Sequence, residues 1–453
     1  MFDSKKSRLK KKYNLLREKR NHNYFCNAPF TALRFHRNGG VQICCHHIDY
    51  QFLENKTLHE IWFGKELESM RKQMRNFDIP KSCNFCSSAF YSENFSNVNA
   101  LSFDFLEQAQ NGYPALMDFS LENTCNLSCI MCDASLSSSI QKEKNIYPLD
   151  KNFHYDDGFI SQLEEFLPNL KVAVFTGGEP FLIKSYFPIW KKMIEINPKI
   201  TINVTTNGTV YNSVIEDILL RGRFNITVSV DSFEAANYNC IRKGADFNKT
   251  MANVYKFAEY CKNRGSIFTI TACPMQMNSS DIPGIVSKCN SEDWDISFNT
   301  VIKPWNQALW SLKSEELEDV INYYKNYNFE STTSQLASGN IKKFSSLIDL
   351  LQIWLDKTKN FEVNIKSEIS INDLRKEIFN IFIAKLSETE VKNNRLLVQE
   401  KVKLVVLKIP DMLISEALLN YADKMSKEMI KNEFEQNDID TIIDHMCIIA
   451  FNI

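Results

Sequence analysis

Three cysteines spaced C-x3-C-x2-C, in Cys125-Asn126-Leu127-Ser128-Cys129-Ile130-Met131-Cys132, follow directly on the apolar run 115–121. Thiolates on so short a loop can take three corners of a cubane iron–sulfur cluster, and with no fourth cysteine close by one iron stays open for another ligand. A zinc site or a purely structural thiolate loop uses similar spacings, so the loop alone leaves both readings open. The run before it, bounded by Pro114 and by Glu122-Asn123-Thr124, reads as a strand. The cysteines therefore fall where a strand hands its chain to a loop, the end at which barrel-like α/β folds commonly build their active sites.

From 113 to about 302, short β-branched runs alternate with helical stretches, the pattern of βα units around a parallel sheet. A second strand, 172–176, runs into Gly177-Gly178-Glu179-Pro180, where the glycine pair lets backbone approach a ligand closely and Glu179 sets an acceptor beside it. Strands at 201–205 and 225–230 end at Thr206-Asn207-Gly208 and at Asp231-Ser232. Ile241-Arg242-Lys243-Gly244 follows, then strands at 267–272 and 295–301. Asn-Gly is a common turn and Arg242 can be an ordinary helix charge, so each of these is weak alone.

Earlier in the chain lie Cys26, Cys44, Cys45 and the pair Cys83-x2-Cys86. From Cys26 to Cys44 the pattern is C-x12-G-x4-C, with Arg37-Asn38-Gly39-Gly40 as the turn of a hairpin between 31–36 and 41–45. The stretch 58–71 carries apolar residues at helical spacing before Cys83-x2-Cys86 closes the unit. A zinc site drawing in Cys45, His46 or His47 is the alternative to an iron–sulfur cluster here.

The cysteine loop after a first strand, followed by Gly177-Gly178-Glu179-Pro180, resembles the radical S-adenosylmethionine (radical SAM) enzymes. The resemblance implies a partial (β/α)6 barrel with a [4Fe–4S] cluster at Cys125, Cys129 and Cys132. The open iron would chelate the amino and carboxylate groups of S-adenosylmethionine. Gly177, Gly178, Glu179 and Pro180 would bind its amino group, and Asn207, Ser229, Asp231 and Arg242 fall where the family contacts ribose or carboxylate. Met131 departs from the aromatic residue often found before the third cysteine, but methionine supplies comparable packing. The earlier cysteines resemble the twitch and SPASM modules, with Cys26, Cys44, Cys83 and Cys86 as ligands of one auxiliary [4Fe–4S] cluster. The further cysteines of a two-cluster SPASM module are absent, which favours the twitch form, and the module precedes the barrel instead of following it.

The chemistry so implied is reductive cleavage of S-adenosylmethionine to a 5′-deoxyadenosyl radical that abstracts hydrogen from a substrate. An external donor such as flavodoxin or ferredoxin would supply the electron, and the auxiliary cluster could take one from the substrate radical or ligate the substrate. Oxidation, cross-linking or epimerisation of a peptide or protein is the first expectation, and a sugar, aminoglycoside-type alcohol or other small metabolite the second. A zinc-stabilised binding protein without enzymatic activity is a third, for which the later strand ends would be coincidences. Cys273, ending the fifth strand before Pro274, is the candidate radical or acid/base residue, while Cys240, Cys261, Cys289 and Cys447 read as small buried hydrophobes.

The 453 residues suffice for two to three domains, and 44% hydrophobic content supports a proper core. We read 1–20 as a basic leader, 21–112 as the auxiliary module, 113–305 as the barrel and 306–453 as a helical region. Nine Lys or Arg against two acids in 1–20 suggest a solvated, frayed segment. After Gly339 there is no further glycine, and 345–355 and 412–429 carry helical spacing suited to covering the barrel or holding substrate. A net charge of −2 gives no sign of a nucleic-acid binder. No run is long enough for a membrane span and no signal-peptide core is visible; thirteen sparse cysteines suit a reducing cytoplasm.

Overall fold

The computed structural model describes residues 2–17, 23–95, 98–109, 111–145, 152–330, 334–365, 371–387, 395–409, 430–431, 434 and 439–450. The chain divides into two units. The first takes in residues 1–128, 132–229 and 242–269, and the second 129–131, 230–241 and 270–453.

In the first unit the strands lie in the order β3-β2-β1-β4-β5-β6-β7. They are β1 (Ala32–His36), β2 (Gly40–Gln42), β3 (Gln51–Phe52), β4 (Leu116–Ser120), β5 (Val172–Phe175), β6 (Thr201–Thr206) and β7 (Phe224–Ser229). β4 to β7 run parallel, as strands joined by helices must. The expected hairpin forms β1 and β2, antiparallel with Arg34 opposite Gln42, and Gly39 makes the turn at φ +78°. β1 also pairs in parallel with β4, from Ala32 beside Leu116 to His36 beside Ser120, so the first cysteine unit shares a sheet with the barrel strands.

Alternation along these strands separates two faces. Phe35, Phe119, Phe175, Ile202, Val204, Ile226 and Val228 are buried on one. There Phe119 stacks between Phe35 and Phe175, at ring-centre distances of 5.0 and 4.7 Å. Phe159 of the helix Asp157–Glu164 and Trp190 of Tyr186–Ile196 close over them. Full burial of such side chains contributes about 1.5–3 kcal/mol each, which makes this helix-covered face the core. The other face is half-buried and mostly polar: Arg34, His36, Asp118, Ser120, Asn203, Thr205, Asn225 and Thr227, with Val174 between Asp118 and Asn203.

Two expectations are corrected. The helical stretch read across 58–71 is two helices, Leu58–Trp62 and Lys65–Arg75. The first is held by a capping box of Thr57 and Glu60, and Gly64, the extended N-cap of the second, passes so close to the Glu60 carbonyl oxygen that a Cβ there would lie at 2.2 Å. The basic segment is not a frayed leader but a docked helix, Phe2–Leu15. Leu9 and Tyr13 are fully buried, with Tyr13 stacked on Phe25 and edge-on to Phe90. Four of the cations have acidic partners: Lys6 pairs with Asp78, Arg8 and Lys12 pair with Glu93, and Arg17 holds Asp104 through Nε and Nη2 while its Nη1 donates to the Tyr24 carbonyl. Arg17 and Asp104 side chains are 0% and 7% exposed, so Arg17→Ala leaves a buried carboxylate without its partner, at a cost of about 3–5 kcal/mol. Hydrogen exchange over Phe2–Leu15 should then accelerate by roughly a hundredfold to a few thousandfold; unchanged exchange would show that the helix is anchored elsewhere.

The second unit holds the last three residues of β8 (Phe268–Ala272), β9 (Asp295–Phe298) and most of the helices. Among them are Ile282–Ser291, Ser314–Lys325, the long Gln335–Ile365, Ile371–Ser387, Arg395–Lys408 and Ile439–Ala450. Asn340, fully buried, ties the long helix to β9: its Oδ1 accepts from the Ile296 N–H at 3.1 Å and its Nδ2 donates to the Trp294 carbonyl at 2.9 Å. All six strands expected after residue 113 are present as β4 to β9 in the expected chain order. The fold is α/β, a partial (β/α)6 barrel with a helical C-terminal region. The expected helical stretch 412–429 lies outside the described residues, as does the side chain of Cys447. Among the described residues no helix is long and apolar enough to cross a membrane.

Candidate cofactor and cluster sites

β4 delivers the chain through Glu122-Asn123-Thr124 into the cysteine loop. Hydroxyls just beyond the loop fix it: the Cys125 N–H donates to Ser138 Oγ, and Ser138 and Ser139 donate back to the Cys125 carbonyl at 3.1 and 2.8 Å. Ser137 caps the helix Ser138–Lys144 and also donates to the Leu127 carbonyl at 2.6 Å. The thiols of Cys125, Cys129 and Cys132 are half-buried. Burial pushes the Cys125 thiol up, while hydrogen bonding from Leu127, Ser137 and Asn207 pulls it down, and Asn207 Nδ2 stands 3.9 Å from the sulfur. Donors aimed at a thiolate are a usual device for setting a cluster's potential.

Gly177-Gly178-Glu179 is stitched to the segment that leads into Cys125. The Gly178 N–H donates to the Glu122 carbonyl at 3.0 Å and the Glu179 N–H to the Thr124 carbonyl at 2.7 Å. A side chain on Gly178 would lie 2.2 Å from Thr124 O, and one on Gly177, at φ +108°, 2.5 Å from Glu122 O. Only glycine allows the two backbones this approach. Glu179 is fully buried, and both its oxygens are engaged within the protein. Oε1 accepts from Thr206 Oγ1 at 2.6 Å and the Phe181 N–H at 3.1 Å, and Oε2 from the Asn207 N–H at 2.6 Å. Burial pushes its carboxyl up, against the pull of these donors and of the Arg242 charge.

Asn207, at the end of β6, also donates to Asn126 Oδ1 at 3.0 Å, and its own Oδ1 accepts from Thr209 Oγ1 at 2.7 Å. Arg242 sits between two residues tied to the cysteine loop: the Ser128 N–H donates to the Lys243 carbonyl at 2.9 Å and the Ile130 N–H to the Ile241 carbonyl at 3.0 Å. Gly244, at φ +94°, lets this turn close on Asn126 and Leu127. In the first unit, then, Gly177, Gly178, Glu179, Asn207 and Arg242 gather about the loop. Pro180 opens the short 3₁₀ turn after Glu179, and Ser229 ends β7. In the second unit Asp231 is fully buried and its Oδ1 accepts from the Cys273 N–H at 2.7 Å, which fixes the end of β8.

Cys26, Cys44, Cys83 and Cys86 line one narrow cleft, with Phe25, Met74 and Phe103 among its walls. Cys45, next in the chain, does not line it. Burial pushes the Cys44 and Cys83 thiols up to about 12, with the neighbouring cysteines adding to the shift at Cys83. Cys26 is raised for the same reasons, and burial raises Cys86. Four thiolates crowded in a dry pocket repel one another unless cationic iron compensates them, so this donor set fits a cluster. Among the described residues no group of three or more His, Cys, Asp or Glu is arranged to hold a single metal ion.

Several residues here were not singled out from the sequence: Ser137, Ser138, Ser139, Asn126, Thr206 and Thr209. The run of hydroxyls directly after the third cysteine was the available signal. The alternation of Asn203 with Thr205 and of Asn225 with Thr227 likewise announced a polar sheet face.

Residues 120–280 match the family model described as the Radical SAM superfamily, and residues 26–87 match SPASM, an iron–sulfur cluster-binding domain. The first match implies a [4Fe–4S] cluster and S-adenosylmethionine, and the second an auxiliary cluster. The GTP 3′,8-cyclase of Clostridium botulinum is 26% identical over 137 residues, which is 30% of this chain and 41% of that protein. That of Lactiplantibacillus plantarum is 25% identical over 155 residues, 33% of this chain and 44% of the other. The chain thus spans about two-fifths of the length of the curated relatives it matches. Among solved structures, native anSMEcpe with bound AdoMet covers 46% of this chain and 59% of its own at 21% identity and a TM-score of 0.37. Streptococcus suis SuiB bound to precursor peptide SuiA covers 64% of each at 14% identity and a TM-score of 0.35.

Proposed function

We propose, from the premise that this chain belongs to the radical SAM superfamily, that it is an enzyme that modifies a peptide or protein by hydrogen abstraction. The observation that carries the reading is the Gly177-Gly178-Glu179 turn stitched, backbone to backbone, to the segment entering Cys125. Cys125, Cys129 and Cys132 would hold the open-iron cluster. When bound, the cluster and S-adenosylmethionine supply a 5′-deoxyadenosyl radical that takes a hydrogen atom from an unactivated C–H bond.

The chain's own residues orient and shelter that chemistry. With both oxygens of Glu179 engaged by Thr206, Phe181 and Asn207, its part is to hold the turn against the end of β6, leaving the turn's backbone to meet the cofactor's amino group. Arg242, held beside the cysteine loop, would face the carboxylate. Asn207, Ser229 and Asp231 would line the ribose side. Cys26, Cys44, Cys83 and Cys86 would hold the auxiliary cluster, and Cys273 would serve as a radical or acid/base group from the end of β8.

The polar sheet face supports a substrate without strong net charge, because its one arginine is paired with Asp118. A peptide suits this, whereas a triphosphate calls for an excess of cations. The amide pair Asn225–Asn203, at 2.9 Å, and the neighbouring threonines favour a hydroxyl-rich small metabolite as the second reading. The test is the rate of 5′-deoxyadenosine formation over the substrate-free rate with three panels: capped peptides, aminoglycosides and GTP. Stimulation by peptides alone is expected, and stimulation by either of the others alone would displace the peptide reading.

A further inference from the structure

β1 and β4 lie in parallel register with Arg34 beside Asp118 and His36 beside Ser120, on the sheet face opposite the helices. Arg34 Nη1 pairs with Asp118 Oδ2, and the two side chains are 23% and 19% exposed. That single contact leaves the group incomplete. Arg34 Nε, Asp118 Oδ1 and His36 Nε2 are each buried and have no hydrogen-bond partner in the protein. Polar atoms buried without partners are costly, and native structures generally complete them with another group. An apolar pair of similar volume would avoid the cost, so keeping the ion pair calls for a use.

The chemistry of what would complete it follows from the atoms left over. Nε–H is a donor and the carboxylate oxygen an acceptor. The imidazole can be either, because burial and the Arg34 charge, opposed by a hydrogen bond with Gln42, push the His36 pKa down to about 4 and keep the ring neutral. The ion pair has no net charge, so a phosphate or carboxylate would meet Asp118 and an ammonium would meet Arg34. A neutral group that accepts and donates at once matches both, and an amide is such a group.

We propose that Arg34, Asp118 and His36 form a recognition group for an amide of the substrate, a peptide main-chain or carboxamide group, on this face of the sheet. This rests on the peptide reading and names the residues that would carry it. β1 belongs to the first cysteine unit and β4 to the barrel, so the pair joins the two in one substrate contact.

The test is equilibrium dialysis of the full-length reconstituted protein against acetylated, amidated tripeptides and, separately, GTP. The wild type is compared with the Arg34→Met/Asp118→Leu double variant and with Arg34→Lys. Wild type should retain peptides, and the double variant should lose retention by at least about tenfold with a thermal midpoint unchanged or higher. Arg34→Lys, which keeps the charge without the guanidinium fork, should fall between them and serves should the double variant fail to fold. Equal peptide retention by wild type and the variants would overturn the recognition group and leave the peptide reading standing. No retention by wild type would overturn both, and GTP retention lost in the variants would assign the pair to a nucleotide and overturn the proposal.

Discussion

Alanine at Cys125, Cys129 and Cys132 together is expected to abolish S-adenosylmethionine cleavage while about four irons and four sulfides remain, against about eight of each in the wild type. The remaining iron belongs to the other four thiols, which surround their own cavity and would complete a cluster with no open iron. Its EPR signal in the triple variant should therefore not change when S-adenosylmethionine is added. Added to the triple variant, Cys44→Ala should remove that iron and Cys45→Ala should spare it, because Cys44 lines the cavity and Cys45 does not. A triple variant that is iron-free, or that holds one zinc, would remove the auxiliary cluster from the reading and leave the other in place.

Gly178→Val is expected to weaken S-adenosylmethionine binding on the order of a hundredfold or more with iron content unchanged. The new Cβ would stand 2.2 Å from Thr124 O and 2.6 Å from the Asn123 carbonyl carbon, both backbone atoms that cannot swing aside. The turn must then back away from the loop, breaking the bonds from Gly178 to Glu122 and from Glu179 to Thr124. Cys125 itself is held by Ser138 and Ser139, so the three thiols are expected to stay. Affinity equal to wild type, measured by equilibrium dialysis, would place the cofactor away from this turn.

What could be read before the structure follows from the range of the signals. Cysteine spacing, the Gly39 turn and the strand runs are local, and each of the strands read from them is present with ends shifted by a residue or more. Long-range pairing was not legible. Arg17 meets Asp104, 87 residues away, so a helix in which Leu9 and Tyr13 are the buried apolar residues among those described looked like a solvated run of charge. Glu179 could be seen as an acceptor beside a glycine pair, but not that Thr206 and Asn207, 27 and 28 residues on, would engage it. Gly64 was passed over because the apolar spacing continues on both sides, yet its extended backbone separates the two helices. The parallel seam between β1 and β4 joins runs more than eighty residues apart, and only the fold brings Arg34 beside Asp118.

The most direct measurement is the yield of 5′-deoxyadenosine from S-adenosylmethionine, by chromatography with mass detection, using anaerobically reconstituted, dithionite-reduced protein. Wild type should form it and Cys129→Ala should form none. Wild type that carries its iron and yields no 5′-deoxyadenosine, or a Cys129→Ala variant that yields as much as wild type, would contradict the assignment of Cys125, Cys129 and Cys132 to a radical-generating cluster.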